Sequence, residues 1–412
     1  MSDAATAAET PVDSLPRTLL TGAQMLFVAF GALVLVPLLT GLDTNVAMFT
    51  AGLGTLVFHW VTGRCIPVFL ASSFAFIAPI QGSVDSFGIS ATLGGLLVSG
   101  LVYVAISQFV RLKGTAWLHR LLPPVVVGPV IMVIGLALAP VAVDMAIGDT
   151  SDHIDYDQAL ILSMISLLVT LILAVFGRGL LRLVPILGGI VVGYLLALAM
   201  GVVELAPVYE AKWLALPSFT PPSFHWAAIL FMIPVAIAPA VEHIGDMVAI
   251  GSVTRRNYLD SPGLHRTLLG DGLATSTAAL FGGPPNTTYS EVTGAVTLTR
   301  AFNPHIMLVA ACLAIVLAFV GKLGAMLQSI PGPVMGGIMT LLFGSIAVVG
   351  MNTLVRAGKP LTAPRNLVVV SLILVFGIGG MQIGSGQFTL QGVSLAALVG
   401  IILNLLLPPA KE

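Results

Sequence analysis

The sequence contains very little charge for its length. Of its 412 residues, 8% are charged and 57% are hydrophobic, whereas a soluble domain carries about 25% charged residues. Side chains of this composition cannot cover a water-exposed surface, which excludes a soluble enzyme and a disordered protein. The composition therefore predicts a polytopic membrane protein.

Cysteine and excess positive charge are also scarce. Two cysteines, Cys65 and Cys312, are too few for a disulfide scaffold. The 17 basic residues balance 18 acidic ones to a net charge of −1, which leaves no basic surface for nucleic acid. No metal-ligand cluster, nucleophile–base spacing or channel-filter motif is visible in the sequence. We therefore expect no enzyme, no cofactor and no channel.

Long apolar runs are what the sequence has in abundance. A membrane helix needs about 20 apolar residues, and this criterion predicts fourteen spans, seven on each side of an external connection at 203–222. The predicted units are a cytoplasmic tail at 1–17, a first repeat at 18–202 and a second repeat at 223–409. The predicted spans are 18–40, 44–63, 68–79, 92–113, 124–144, 156–176, 179–202, 223–252, 264–282, 288–300, 304–325, 331–352, 365–382 and 388–409.

The basic residues predict the orientation of these spans. With fourteen spans and a cytoplasmic N-terminus, all of the 17 basic residues except Lys212 and Lys322 fall on the cytoplasmic side. Such segregation follows the positive-inside rule. We therefore predict a multi-pass membrane protein with both termini in the cytoplasm.

Part of the sequence recurs at a spacing of 209 residues. Pro124-Val125-x-x-Gly128 returns as Pro333-Val334-x-x-Gly337. Seven spans separate the two copies, so the second would be inverted in the membrane. Inverted repeats are typical of secondary transporters, although proline and glycine chemistry shared by helix ends is an alternative explanation.

The third segment of each half is too short to cross the membrane as a helix. Residues 66–76 of the first half contain two serines, and residues 282–291 of the second half begin with Gly-Gly-Pro-Pro. We predict short extended strands in spans 3 and 10, with helix resuming after Glu291. Irregular backbone at membrane depth persists where it lines a cavity, so paired interruptions indicate a binding site.

Four acidic residues lie inside predicted spans: Glu242, Asp246, Asp271 and Glu291. A carboxylate in the membrane is costly, so each is a candidate for function. Glu242 and Asp246 are four residues apart and share a helix face, which predicts a coupled proton-binding pair. Asp271 is better explained as a bond to a neighbouring helix, and His243 as a helix–helix hydrogen bonder rather than a zinc ligand.

These residues also carry a resemblance to a known family. VEHIGD (241–246), DSPGLHR (260–266) and PNTTYSE (285–291) resemble the uracil permeases of the nucleobase–ascorbate transporter family. Further similarity lies in FGALVLVP (30–37) and IPGPVMGG (330–337). The resemblance therefore extends over nearly the whole chain.

The resemblance implies an all-α fold with a core domain of spans 1–4 and 8–11 and a gate domain of spans 5–7 and 12–14. It implies a homodimer that imports a nucleobase with a proton, driven by the proton gradient. By position, Glu242 and Glu291 match the carboxylates that bind the base. The residues that match those lining the base are Ala32, Phe74, Tyr289 and Ser290, with Phe74 and Ser290 acting through their backbone. Asp246, coupled to Glu242, is the expected proton carrier.

Three positions depart from the uracil-carrier pattern. Val292 replaces an asparagine, and Asp246 and Met25 each replace a histidine. Aspartate at 246 resembles purine carriers, whereas glutamate at 291 favours uracil. The sequence therefore predicts a uracil symporter, with a xanthine or other purine symporter and an anion transporter of the same fold as alternatives.

Overall fold

The computed structural model describes residues 15–114, 116–149, 154–179, 181, 184–358, 360–385 and 388–408. Most of the predicted tail at 1–17 lies outside them. The described chain is predominantly helical. The helices of the first half are α1 (Leu15–Thr40), α2 (Thr44–Val61), α3 (Ile77–Phe87), α4 (Ile89–Lys113), α5 (Ala116–Leu121), α6 (Pro124–Ala137), α7 (Ala139–Ala146), α8 (Tyr156–Phe176), α9 (Pro185–Ala199) and α10 (Ala206–Glu210).

The second half repeats this helical character. Its helices are α11 (Trp226–Met232), α12 (Ile237–Thr254), α13 (Leu264–Leu280), α14 (Ser290–Thr299), α15 (His305–Ala318), α16 (Gly321–Gln328), α17 (Gly332–Arg356), α18 (Pro364–Ile378) and α19 (Gly392–Leu406). The strands are β1 (Leu70–Ser72), β2 (Asn286–Thr288), β3 (Gln382–Ser385) and β4 (Phe388–Gln391).

Six helical segments of the described chain are long and apolar enough to cross a membrane: α1, α4, α6 with α7, α8, α11 with α12, and α17. Four shorter apolar helices are α9, α15, α18 and α19. These segments confirm a multi-pass membrane protein. The full count of fourteen spans stays a prediction.

The helices α2 and α13 are more polar than the ten apolar segments, and both carry buried polar side chains. Thr50, Thr55 and His59 of α2 are buried, as are Thr267 and Asp271 of α13. A helix surrounded by other helices needs no lipid-facing apolar surface, and its polar side chains bond neighbouring backbone groups instead. The Thr55 hydroxyl, for example, accepts a hydrogen bond from the backbone N–H of Leu70 at 2.9 Å.

The helices pack in two groups. In one group α13 packs against α4 and α2, and α15 packs against α2 and α1. In the other, α17 packs against α6, α7 and α8, while α18 and α19 pack against each other and against α6. Fewer contacts join the groups, through α1 with α9 and through α12 with α6 and α19.

The two interrupted segments meet at the centre of the first group. Strands β1 and β2 pair antiparallel, with Leu70 opposite Thr288 and Ser72 opposite Asn286. The backbone N–H of Ser73 extends the pairing to the carbonyl of Pro285 at 2.9 Å. Both strands are buried, so each satisfies the backbone groups that the other exposes. The extended strands predicted in these segments are thus present.

Three boundaries differ from the sequence-based expectation. The helix after β1 continues to Phe87 rather than ending near residue 79, because its later turns are polar and escape a hydropathy criterion. Helix α14 begins at Ser290, which places Glu291 inside its first turn rather than before it. The run at 388–409 is not one helix, since its first residues form β4 in a hairpin with β3.

Close helix packing in the second group depends on Gly337 of α17. A Cβ atom there would lie 2.1 Å from the backbone oxygen of Ser163 on α8, whereas Gly344 of the same helix has no atom within 4 Å. We expect Gly337→Ala to destabilise the protein by about 1–3 kcal/mol, because backbone atoms must separate. Gly344→Ala is the matched control and is expected to be neutral or stabilising. Thermal unfolding in detergent measures both, and equal melting temperatures would contradict the prediction.

Candidate functional site

A cavity of about 310 Å³ lies between the two groups of helices. Its volume is at the lower end of the range for ligand pockets, about 300–1,000 Å³. The first group contributes carboxylates and aromatic rings, and the second contributes α6 and α17. The lining residues are Phe74, Ile131, Glu242, Gly245, Asp246, Ala249, Tyr289, Glu291, Ser345, Ile346, Val349, Asn352, Thr353 and Arg356.

Three of the four predicted intramembrane acids line this cavity. Glu242 and Asp246 lie one turn apart on α12, as the spacing predicted, and Glu291 approaches from α14. Glu242 is within electrostatic reach of Asp246, Glu291 and Asp271. Such crowding makes binding of a proton or of a ligand N–H group favourable, because either reduces the repulsion between carboxylates.

The start of α14 provides donors beside these acceptors. Tyr289 has extended backbone and precedes the helix, Ser290 is its first residue, and Glu291 lies in the first turn. The first N–H groups of a helix have no partner one full turn earlier. In α14 the N–H of Val292 donates to the carbonyl of Tyr289 at 3.1 Å, so the N–H groups that precede it are the ones that can bond a carbonyl oxygen of a ligand. The side chain of Ser290 is outside the described part of the chain.

Aromatic rings form one wall of the cavity. Phe74 lies in a single turn of 3₁₀ helix, Phe74–Phe76, directly after β1. Its ring centroid is 5.8 Å from that of Tyr289 and 6.3 Å from that of Phe343 on α17. Ala32 of α1 is buried but is not among the residues that line the cavity. The site therefore has a flat apolar surface next to its polar groups.

A buried polar cluster lies behind the carboxylates. The Thr288 hydroxyl donates to Asp246 Oδ2 at 2.9 Å, and His243 Nδ1 lies 3.2 Å from the same hydroxyl oxygen. His243 Nδ1 is also 3.5 Å from Asp271 Oδ2. His243 thus bonds across elements, as expected, and Asp271 faces a neighbouring helix. In the described residues no group of three or more His, Cys, Asp or Glu side chains is arranged to hold a metal ion.

Glu291 also borders a second cavity of about 210 Å³. This cavity is lined mainly by apolar residues of α1, α14 and the start of α9, including Phe27, Ile186 and Leu298. It lies at the contact between the two groups of helices. Glu291 is therefore accessible from two sides.

The residues of α17 in the cavity were not identified from the sequence. Ser345, Asn352 and Thr353 lie on one face of this helix, and Arg356 ends it. Polar residues repeating at intervals of seven and eight within an apolar run are a signal that could have revealed them. Ile131 of α6 carries no such signal.

The whole chain is similar to proteins of one transporter family. Residues 16–385 match the profile of a family described as a permease family. The chain belongs to this family. Its relatives include the probable uracil permease of Haemophilus influenzae, 59% identical over 391 residues that cover 95% of this chain and 94% of the relative. The uracil permease of Bacillus subtilis is 44% identical, covering 94% and 92%. That of Escherichia coli is 39% identical, covering 95% and 91%.

Family membership confirms that this permease is a transporter and not an enzyme.

Solved structures show the same fold at low identity. The transmembrane domain of a cyanobacterial bicarbonate transporter, BicA, superposes with a TM-score of 0.66 at 14% identity, covering 96% of this chain and 98% of that one. The murine SLC26A9 anion transporter in its inward-facing state gives 0.69 at 13%, covering 96% and 69%. At these identities the likeness is one of fold alone.

Proposed function

We propose that this permease is a proton-coupled symporter that imports uracil or a related nucleobase. The observation that carries the proposal is a single cavity lined by Glu242, Asp246 and Glu291 together with the rings of Phe74 and Tyr289. A planar base offers N–H donors, carbonyl acceptors and a flat face, and each has a counterpart in this cavity. The uracil permeases among the relatives support uracil as the first candidate.

In the proposed complex the base lies between the carboxylates and the start of α14. Glu242 and Glu291 accept its N–H groups, and backbone amides near Phe74 and Ser290 donate to its carbonyl oxygens. Hydrogen bonds to ionised groups are the stronger ones, so the carboxylates supply most of the affinity. The rings of Phe74 and Tyr289 pack on the base, and Ala32 supports this region from α1 without contacting the cavity.

The proton is assigned to Asp246, coupled to Glu242 one turn away. With Asp246 protonated, Glu242 no longer has a charged carboxylate one turn away on its own helix and binds the base. Loss of the proton to the cytoplasm leaves two adjacent carboxylates, which weakens binding and favours release. The proton gradient is the driving force, and no cofactor is required.

The Tyr289 hydroxyl is a further candidate for a hydrogen bond to the base, and its removal tests that contact. It is buried and has no hydrogen-bond partner among the described residues, so Tyr289→Phe removes no bond within the protein. We expect unchanged thermal stability but about 2- to 10-fold weaker base binding, the effect of one lost hydrogen bond. Tyr156→Phe, at a residue that is 59% exposed, is the matched control. Equal binding by both variants in a substrate-induced thermal-shift assay would exclude the contact.

For the fold, we propose fourteen spans in two inverted repeats, at 18–202 and 223–409, joined by the external connection at 203–222. The six long and four short apolar segments, with α2, α13 and the two strand–helix segments, are consistent with that number. The group that contains α2, α4, α13 and α15 corresponds to the proposed core domain of spans 1–4 and 8–11. The group around α17 corresponds to the gate domain of spans 5–7 and 12–14.

The proposed orientation has both termini in the cytoplasm of a bacterial cell, with the protein in the inner membrane as a homodimer. Arg255 and Arg356, at the carboxyl ends of α12 and α17, then lie on the cytoplasmic side. The cavity extends along these ends, from Glu242 towards Ala249 and Arg356. We therefore interpret the conformation as inward-facing.

Uptake into proteoliposomes tests the proposed function. Labelled uracil, xanthine, hypoxanthine and guanine are each offered with and without an imposed pH gradient, acidic outside. We expect uracil to accumulate when the gradient is present and only to equilibrate when it is absent. Accumulation of xanthine instead would establish the purine alternative, which Asp246 and Val292 favour.

An anion transporter of the same fold is the second candidate. Arg356 at the cavity favours it, because a guanidinium group attracts an anion. Three carboxylates in the same cavity oppose it, because they repel a negative substrate. Transport of chloride or bicarbonate by the same proteoliposomes, without base uptake, would establish this alternative.

A further inference from the structure

The buried cluster of His243, Asp271 and Thr288 has no part in the base-binding scheme. The three residues come from α12, α13 and β2, and are 1%, 0% and 2% exposed. Nε2 of His243 has no hydrogen-bond partner among the described residues, and the Asp271 carboxyl group has only the backbone N–H of Thr288 and His243 Nδ1 close to it among those residues. Burying polar groups without full hydrogen bonding is costly, so this arrangement requires an explanation.

With Asp246 ionised, the chemistry of each group sets the direction of the hydrogen bonds in the cluster. The Thr288 hydroxyl has one proton, and it is donated to Asp246 Oδ2. The hydroxyl oxygen can therefore only accept from His243 Nδ1, at 3.2 Å, so the ring hydrogen is on Nδ1. Asp271 Oδ2 lies 3.5 Å from Nδ1, and a negative charge at that distance favours the Nδ1–H form of a neutral imidazole.

We propose that Asp271 and His243 are positioning residues for the proton carrier Asp246. Asp271 keeps the hydrogen on Nδ1 of His243, His243 directs the Thr288 hydroxyl proton at Asp246, and this donor stabilises the ionised carboxylate. The cluster thereby sets the pH at which Asp246 releases its proton. The inference rests on the role of Asp246 in the proposed function, but it can be tested without transport.

Other titratable groups surround the same carboxylate. Glu242 on its own helix and Asp271 on α13 interact with it electrostatically. Glu291 on α14, Tyr289 before α14 and Arg356 on α17 line the same cavity, and Tyr103 on α4 interacts with Asp271 and Glu242. A variant at Thr288 or an uncharged variant at His243 leaves all of these charges in place. The effect of the hydrogen-bond chain can therefore be separated from theirs.

The test is an infrared titration of the purified full-length protein, in which the Asp246 carboxyl band is identified by its loss in Asp246→Asn. Thr288→Val removes the hydroxyl at nearly constant shape, and we expect it to raise the midpoint of Asp246 deprotonation by about one pH unit. His243→Leu is expected to shift the midpoint in the same direction. The matched controls are Thr288→Ser, which keeps the hydroxyl, and His243→Asn, which offers a donor near Nδ1. Both should retain the wild-type midpoint.

Asp271 is tested through its dependence on His243. An asparagine at 243 has no tautomer to select, so in His243→Asn the change Asp271→Asn acts only through its loss of charge, which lowers the midpoint of Asp246. In the wild-type background the lost tautomer selection opposes this shift, so the midpoint should lie above the value that the charge effect alone gives. Unchanged midpoints in folded Thr288→Val and His243→Leu would overturn the inference. So would equal shifts in Thr288→Val and Thr288→Ser. If Thr288→Val does not elute as a folded species, the inference is tested by comparing the midpoints of His243→Leu and His243→Asn. Failure of the proposed function is read separately, from wild-type uptake.

Discussion

Glu242→Gln and Glu291→Gln are each expected to abolish nucleobase uptake in proteoliposomes. Both side chains line the same cavity from different helices, and each is assigned an N–H group of the base. Glutamine keeps an acceptor oxygen but loses the charge, and a hydrogen bond to a charged group is worth about 1.5–3 kcal/mol. That corresponds to roughly a 10- to 100-fold loss of affinity for each substitution.

The control for this prediction is Glu210→Gln, the same change at an exposed residue of α10. It should transport like the wild type. All three variants are compared at equal protein content, after size-exclusion chromatography shows that they are folded. Wild-type uptake by both cavity variants would refute the assignment of the two glutamates. Loss in one variant alone would limit base binding to that residue.

Asp246→Asn is expected to separate base movement from proton movement. The variant carries a permanently neutral side chain at the proposed proton site, so the base can still exchange across the membrane but cannot be concentrated. For one proton per base, a gradient of one pH unit supports at most about tenfold accumulation in the wild type. We expect the variant to reach no accumulation while retaining counterflow of labelled against unlabelled base.

Asp85→Asn, at an exposed aspartate of α3, is the matched control and should accumulate base like the wild type. The two measurements on the same vesicles distinguish the possible roles of Asp246. Loss of counterflow as well as accumulation would assign it to base binding. Normal accumulation would remove it from the transport cycle and place the proton elsewhere, with Glu242 and Glu291 as the remaining carboxylates in the cavity.

Candidate residues that are chemically unusual for their surroundings were recognisable in the sequence. Glu242 and Glu291 stand out because carboxylates are rare in apolar runs. The Gly-Gly-Pro-Pro run before Asn286 likewise predicted that a helix could not continue there. The structure places these features around one cavity and one strand pair.

Other parts of the site were not recognisable from local sequence. Ile131 and Val349 of the second helix group resemble any apolar residue of a membrane helix. The contact between His243 and Asp271 joins residues 28 positions apart on two different helices. Nothing in the sequence around either residue predicts that it contacts the other. The β3–β4 hairpin was missed because β4 continues directly into the apolar run of α19.

The sequence alone determined the membrane class, the two interrupted segments and the acids within the spans. These properties depend on composition and on neighbouring residues, which the solvent preferences of side chains and backbone control directly. The tertiary structure decided which helix faces meet. It thereby decided the position of the cavity, the contribution of α17 to its wall, and the series of side-chain contacts from Asp271 through His243 and Thr288 to Asp246. Within a membrane, lipid-facing and protein-facing surfaces are both apolar. Hydropathy therefore cannot distinguish them, and only packing between distant helices brings a particular set of side chains together.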